Sequence, residues 1–209
     1  MKIDPTTLDK RTLHELVASA IVPRPIAFVS TIGKDGVFNL APFSFFAPLC
    51  LKPVILAFSM GWKRDGQKKD TLKNIEFSRD FVVNVVTEPL ADAMNQSAFE
   101  YPSDVDEFKE VGLTPKKADI VKAPLLAESP VSMECKSVQI LEFGEPGVGN
   151  NVVIGEVVLV HIQDGLWVGD HVEATKLRAI GRLGEDLYCR TTDTFEMKKA
   201  WGGIPGREG

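Results

Sequence analysis

Lys68-Lys69-Asp70-Thr71-Leu72 puts two ammonium groups, a carboxylate and a hydroxyl where an apolar helical pattern begins. A helix start already offers unbonded N–H groups and the positive end of the helix dipole. The combination suits an anion, and a phosphate monoester, at about −1.5 to −2 charge, would be held well there. A second segment, Asn39-Leu40-Ala41-Pro42-Phe43-Ser44-Phe45-Phe46, sets small hydrogen-bonding side chains among aromatic rings. Apolar surface for ring faces beside a few fixed polar groups for an edge suits a planar heterocycle. Pro42 and Pro48 are expected to keep this backbone irregular. Ser30-Thr31, at the end of an apolar run, adds two hydroxyls that serve either a ligand or a turn. The same residues also fit a solvated lysine loop capping a helix, and a strand whose phenylalanines are core. Asn39 and Ser44 count against the latter, because a buried amide or hydroxyl needs a partner.

Other chemistries find less support. The formal charge of −5 argues against nucleic acid and anionic membrane as partners. No apolar run approaches the roughly 20 residues that span a bilayer. The first residues, with Asp4, Asp9 and Glu15 and no apolar h-region, do not read as a secretory signal. Cys50, Cys135 and Cys189 are far apart and odd in number, which fits reduced thiols in the cytoplasm. His14, His161 and His171 lack metal-ligand spacing, and His161 reads as a satisfied core or rim residue. With no Ser/His/Asp ordering, G-x-G-x-x-G or P-loop, neither a catalytic side chain nor a metal site is expected.

The surrounding pattern must position these groups. A short helix is expected over 12–19, starting near Arg11 or Thr12. Pro23 and Pro25 then force an extended entry into a strand at 26–32. Gly33-Lys34-Asp35-Gly36 signals a hairpin turn, with a return strand over 37–40. Residues 53–59 form a strand apolar on both faces, and Asp70 or Thr71 caps a helix running to about Arg79. A buried strand follows at 81–86 and a helix at 89–99. Residues 100–130, rich in proline, read as loop with a turn of helix near 104–109. Two long strands, from Val131 and over 152–162, close the pattern, the first with a bulge near 136–138 where its apolar phase switches. Short strands joined by turns, with helices inserted rather than alternating, favour a closed antiparallel barrel in one domain over 1–209, ending in a flexible tail at about 202–209.

Several of these pieces, in this order, resemble the flavin reductase-like, FMN-binding split-barrel family. The resemblance rests on Pro23-Arg24-Pro25 leading into Phe28-Val29-Ser30-Thr31, on Asn39-x-Ala41-Pro42-Phe43-Ser44, and on Lys69-Asp70-Thr71-Leu72-x-Asn74-Ile75 before Phe81–Val85. It continues through Asp106-Glu107-Phe108 with Gly112-Leu113, Gly155–Val158 to His161, Asp164-Gly165, and Arg182-Leu183-Gly184 with Tyr188. It implies a mainly β antiparallel split barrel, usually a homodimer, with FMN held noncovalently near the subunit interface. Carried over residue by residue, Ser30 and Thr31 would contact the flavin or its ribityl chain. Asn39, Ala41, Pro42, Phe43, Ser44 and Phe45 would line the isoalloxazine. Lys69 and Thr71 would hold the phosphate, Asp70 would fix that loop or the ribityl hydroxyls, and Ser59 and Arg182 would assist. Arg64 would be a candidate for a further phosphate ligand, but the resemblance does not extend to its loop over 61–68. The implied activity is transfer of reducing equivalents from NAD(P)H through FMN to a flavin, a protein or a small acceptor. The alternative is an FMN-binding electron carrier without reductase activity of its own. Whether residues 100–130 cover the flavin or only decorate the barrel stays open.

Overall fold

A computed structural model describes residues 1–197, so the tail expected over 202–209 lies outside the described residues. Its strands are β1 (Ala27–Ile32), β2 (Phe38–Phe43), β3 (Phe45–Leu51), β4 (Val54–Met60), β5 (Asp80–Val85), the short β6 (Pro115–Lys116) and β7 (Leu125–Leu126), the long β8 (Val131–Phe143) and β9 (Asn150–Ile162), and the short β10 (Trp167–Val168), β11 (His171–Val172), β12 (Ile180–Arg182) and β13 (Tyr188–Arg190). The helices are α1 (Lys10–Ala20), α2 (Asp70–Ser78), α3 (Ala91–Gln96), α4 (Glu107–Glu110) and α5 (Ala174–Leu177). Seven strands form one antiparallel sheet in the order β2-β1-β5-β8-β9-β4-β3. Its two terminal strands, β2 and β3, are consecutive in the chain with only Ser44 between them. The sheet therefore curls until its ends meet in one bent segment, and Phe43 from one end packs on Phe58 of β4 with ring centroids 5.3 Å apart. The fold is the mainly β antiparallel split barrel expected from sequence.

Side-chain alternation divides the barrel into inside and outside. Ala27, Val29, Phe43, Leu56, Phe58, Met60, Phe81, Val83 and Val153 fill the interior, closed at one end by Leu72 and Ile75 of α2. Gly155 admits the Phe81 ring, which would lie 2.4 Å from a Cβ added there. The outer face of β1 and β2 carries Phe28 and Leu40, buried under Leu90, Met94 of α3 and Phe108 of α4. The register shift within β8 falls between Ser137 and Gln139, at the expected bulge.

Three expectations need correction. Pro42 lies within a regular strand rather than irregular backbone, tolerated because β2 ends the sheet, where a missing N–H costs no ladder bond on the open side, whereas at Pro48 the β3–β4 register does shift, between Pro48 and Cys50. Helix α1 begins earlier than expected because Asp9, not Arg11 or Thr12, caps it by accepting from the Arg11 and Thr12 amides. The helix expected over 89–99 is a turn of 3-10 helix followed by the shorter α3.

Residues 115–126 pack on the outside of β5 through Ala118, Val121, Ala123 and Leu125. Glu134 of β8 pins this excursion. Its carboxylate is fully buried and accepts from the Asp119, Ile120 and Val121 amides and from His161 Nε2 at 2.6 Å. Burial works to raise its pKa, but the hydrogen bonds from His161 and the amides outweigh burial and hold it below the usual range. Asp119 brings a second carboxylate to this pair, forming a cluster of metal-ligand types that the spacing of the histidines did not suggest. Both Glu134 oxygens are already claimed by donors, so its role here is to fasten the segment.

Candidate functional site

The cap expected from Asp70 or Thr71 is not formed: both lie inside α2, which starts at Asp70 because Lys69 is extended, and no side chain among the described residues caps it. The Asp70 and Thr71 amides consequently have no hydrogen-bond partner among the described residues. Two amide–hydroxyl contacts fasten this helix to the β1–β2 hairpin. Asn39 Nδ2 donates to Thr71 Oγ1 at 3.0 Å, and Asn74 Nδ2 donates to Thr31 Oγ1 at 3.0 Å. Thr31 and Asn39 face each other across the β1–β2 ladder, so the strand register brings both hydroxyl–amide pairs under one helix face.

A cavity of about 250 Å³ opens beside this seam. Asn39, Ala41, Pro42 and Phe43 form one wall, and Lys63, Lys69, Asp70 and Thr71 another. Residues 97–101 and Glu107 complete it. A neighbouring recess of about 350 Å³ lies between the hairpin turn, α2 and residues 103–105, and shares Asn39, Asp70 and Glu107 with the cavity. Both volumes are of the order of small-molecule sites.

The cations are arranged rather than free. Asp70 pairs with Lys63 at 2.5 Å and Lys73 at 3.3 Å. Lys69 reaches Glu100 only at 3.8 Å. Lys68, the other half of the expected lysine pair, turns away and pairs with Glu76 at 2.6 Å. Lys63 takes its place as the second ammonium group of the cavity.

Asn39, Ala41, Pro42, Phe43, Lys69, Asp70 and Thr71 thus meet at one cavity, as expected from sequence, although the Phe43 ring points into the barrel core. The other candidates lie elsewhere. Ser30 shares the outer phase with Phe28; it is fully buried, donates to the Pro124 carbonyl and accepts from Asn84 Nδ2, so it fastens the outer excursion. Thr31 is also fully buried, its hydroxyl taken by Asn74. Ser44 accepts from Arg24 Nε at 3.4 Å, and Phe45 lies beneath the same guanidinium and stacks on His14. Ser59 accepts from Asn150 Nδ2 at 3.0 Å on the outer face of β4. Arg182 is bound to the Tyr188 hydroxyl and the Glu185 carbonyl. The Arg64 amide donates to Glu100, and its residue does not line the cavity.

Lys63, Glu107 and the exposed Phe99 with Tyr101 are the cavity residues that sequence reasoning missed. Glu107 is only 7% exposed, and burial pushes its carboxyl up to about 7, against hydrogen bonds from its own amide and that of Leu40. Asp70 and Asp106 push in the same direction as burial. The segment 100–130 therefore divides: its start walls the cavity, and residues 115–126 decorate the barrel.

A family model described as flavin reductase like domain matches residues 19–175. An uncharacterized protein from Aquifex aeolicus is 39% identical over 191 residues, covering 91% of this chain and 95% of its own length. Among solved structures, nitrilotriacetate monooxygenase component B from Bacillus cereus superposes with a TM-score of 0.90 at 30% identity, over 94% of this chain and 98% of that one. The 2-nitrobenzoate 2-nitroreductase of Pseudomonas fluorescens gives 0.87 at 28% identity, over 99% and 100%.

Proposed function

The chain belongs to the flavin reductase-like family, and we propose that it binds FMN in the cavity between Asn39–Phe43 and the start of α2 and passes reducing equivalents from a nicotinamide nucleotide to an acceptor. The observation that carries this reading is the uncapped α2 start, whose Asp70 and Thr71 amides have no partner among the described residues and whose cavity also takes Lys63 and Lys69 into its lining, opposite Ala41, Pro42 and Phe43. Backbone donors, a hydroxyl and two ammonium groups fit a phosphate monoester. Asn39 and the backbone of Ala41–Phe43 offer polar groups over an apolar floor, which fits the edge of a planar ring system.

When bound, the flavin supplies the hydride and electron chemistry. The chain's residues bind and orient it. Lys69 and Thr71 hold the phosphate end, Lys63 and Lys73 keep Asp70 from opposing it, and Asn39 fixes the Thr71 hydroxyl. Phe99 and Tyr101, packed edge to face with centroids 6.3 Å apart, offer aromatic surface at the rim. The 2-nitrobenzoate nitroreductase and the monooxygenase component B among its structural neighbours support a redox reading. Leu49, Leu51, Val54 and Val138 remain exposed on and around the β3–β4 end of the sheet, which supports a homodimer that covers them. No helix among the described residues is long and apolar enough to cross a membrane.

The test is anaerobic stopped-flow absorbance of the FMN-loaded protein mixed with NADH or NADPH. Bleaching of the flavin bands at turnover rates supports the reductase. Bleaching only by dithionite or a reduced protein would make the chain an electron carrier, and a colourless protein that takes up no FMN overturns the site.

A further inference from the structure

Glu107 sits in the wall that separates the cavity from the neighbouring recess and lines both. It reaches this place because α4 is anchored by Phe108, fully buried under the outer face of β1 and β2. Glu107 is a buried residue that faces both spaces, yet no cation lies within salt-bridge distance of its carboxyl among the described residues. Apart from its own amide, one donor serves it, the Leu40 amide, at 3.2 Å from Oε2. No group of the described residues donates to Oε1 from elsewhere in the chain. A buried carboxylate with so few donors is costly, and a carboxylic acid with a donatable proton is not.

The charges around it sharpen the point. On the cavity side Lys63 and Lys69 balance Asp70 and Glu100, and the phenol of Tyr101 completes the set. On the recess side Lys34 and Lys73 face Asp35 and Asp104, and Asp106 stands next to Glu107 on its own segment. Glu107 alone therefore decides whether the cavity is neutral or singly negative before an anionic ligand arrives.

We propose that Glu107 belongs to the ligand site as a protonated hydrogen-bond donor, and that binding of the phosphate-bearing ligand takes up a proton onto it. The inference rests on the FMN reading above and adds a residue and a proton to it. Burial pushes the free carboxyl up to about 7, so above that pH the empty site is ionised and must regain a proton to admit a dianion. The phosphate of free FMN is already dianionic at pH 8, so it contributes no uptake of its own there. Affinity then weakens about tenfold per pH unit above neutrality.

The experiment is calorimetric titration of the full chain with FMN at pH 8 in two buffers of different ionisation heat, with affinities measured by flavin fluorescence quenching from pH 6.5 to 8.5. Uptake close to one proton per FMN, and a Glu107→Gln variant with flat affinity above pH 7 and no uptake, bear the proposal out. FMN binding without proton uptake in the wild-type chain overturns it while leaving the FMN site standing, and this arm holds even if the variant fails to fold. Equal pH slopes in the wild type and a folded variant also overturn it. No FMN binding at any pH removes the ligand reading itself.

Discussion

Asn39 donates its side-chain amide to the Thr71 hydroxyl at 3.0 Å, joining the inner edge of β2 to the first turn of α2. Because the amide occupies a lone pair of the hydroxyl, the Thr71 proton stays available, with no acceptor among the described residues, in a residue that lines the cavity. The strand thus holds a donor that the helix carries. Thr71→Ala and Lys69→Ala should each weaken FMN by about 1.5–3 kcal/mol, roughly ten- to more than a hundredfold, while changing riboflavin affinity little. Fluorescence titration with both flavins checks this; equal losses for the two would remove these residues from the phosphate.

Asn39→Ala should act differently. It frees the Thr71 hydroxyl to rotate and removes one of the two bonds that hold α2 to the hairpin, so it should lower stability by about 1–2 kcal/mol and weaken both flavins. Asn39→Asp, which keeps an acceptor but cannot donate to Thr71 when ionised, should not restore the binding. Thermal melts with and without FMN separate the stability effect from the ligand effect.

How far the sequence showed this site depends on how each residue is placed. Asn39, Lys69 and Thr71 lie in short local motifs whose spacing to a strand end or helix start is readable, and they meet as expected. The Gly33–Gly36 turn was legible for the same reason, with Gly36 at φ 80° where a side chain is disfavoured. Ser30 and Thr31 are adjacent in sequence but part in the fold, because strand alternation sends Ser30 outward with Phe28 and Thr31 inward. Lys63 and Glu107 were not legible: an ion pair to Asp70 selects the first, and burial of Phe108 positions the second. Neither cause leaves a local pattern.

The raised carboxyl of Glu107 makes stability fall as pH rises. In the unfolded chain it ionises near its ordinary value of 4.5, whereas the folded protein holds the proton up to about 7. Between these values the native state binds more protons, so stability drops across that window and stays lower above it. Glu107→Gln keeps an acceptor for the Leu40 amide and removes the ionisation. It should raise stability by up to about 3 kcal/mol at pH 8 and by little at pH 4.5. Denaturant melts at the two pH values check the difference.

Glu134 has the opposite sign. Its hydrogen bonds hold its pKa below the unfolded value, so the stability it confers is complete above that value and is lost as pH falls through the folded one. Glu134→Ala leaves the Asp119, Ile120 and Val121 amides without their acceptor and should cost at least about 3 kcal/mol. Hydrogen exchange should quicken at residues 119–121 well before the strands of the barrel.

Gly155 tests how tightly the barrel itself is closed. Its Cα lies against the Phe81 ring, which occupies the space where any side chain would begin, 2.4 Å from the nearest ring carbon. That contact is to the far end of an aromatic ring that packs in turn on Phe58 at 5.5 Å, so the ring cannot retreat without moving a second one. Gly155→Ala should therefore destabilise by about 1–3 kcal/mol, the usual cost of overfilling a packed core. A second substitution, Phe81→Leu, should relieve part of that loss. Melts of the single and double variants give the coupling between the two positions; additive effects would mean that β9 shifts instead of the ring, and that the barrel is looser than its packing indicates.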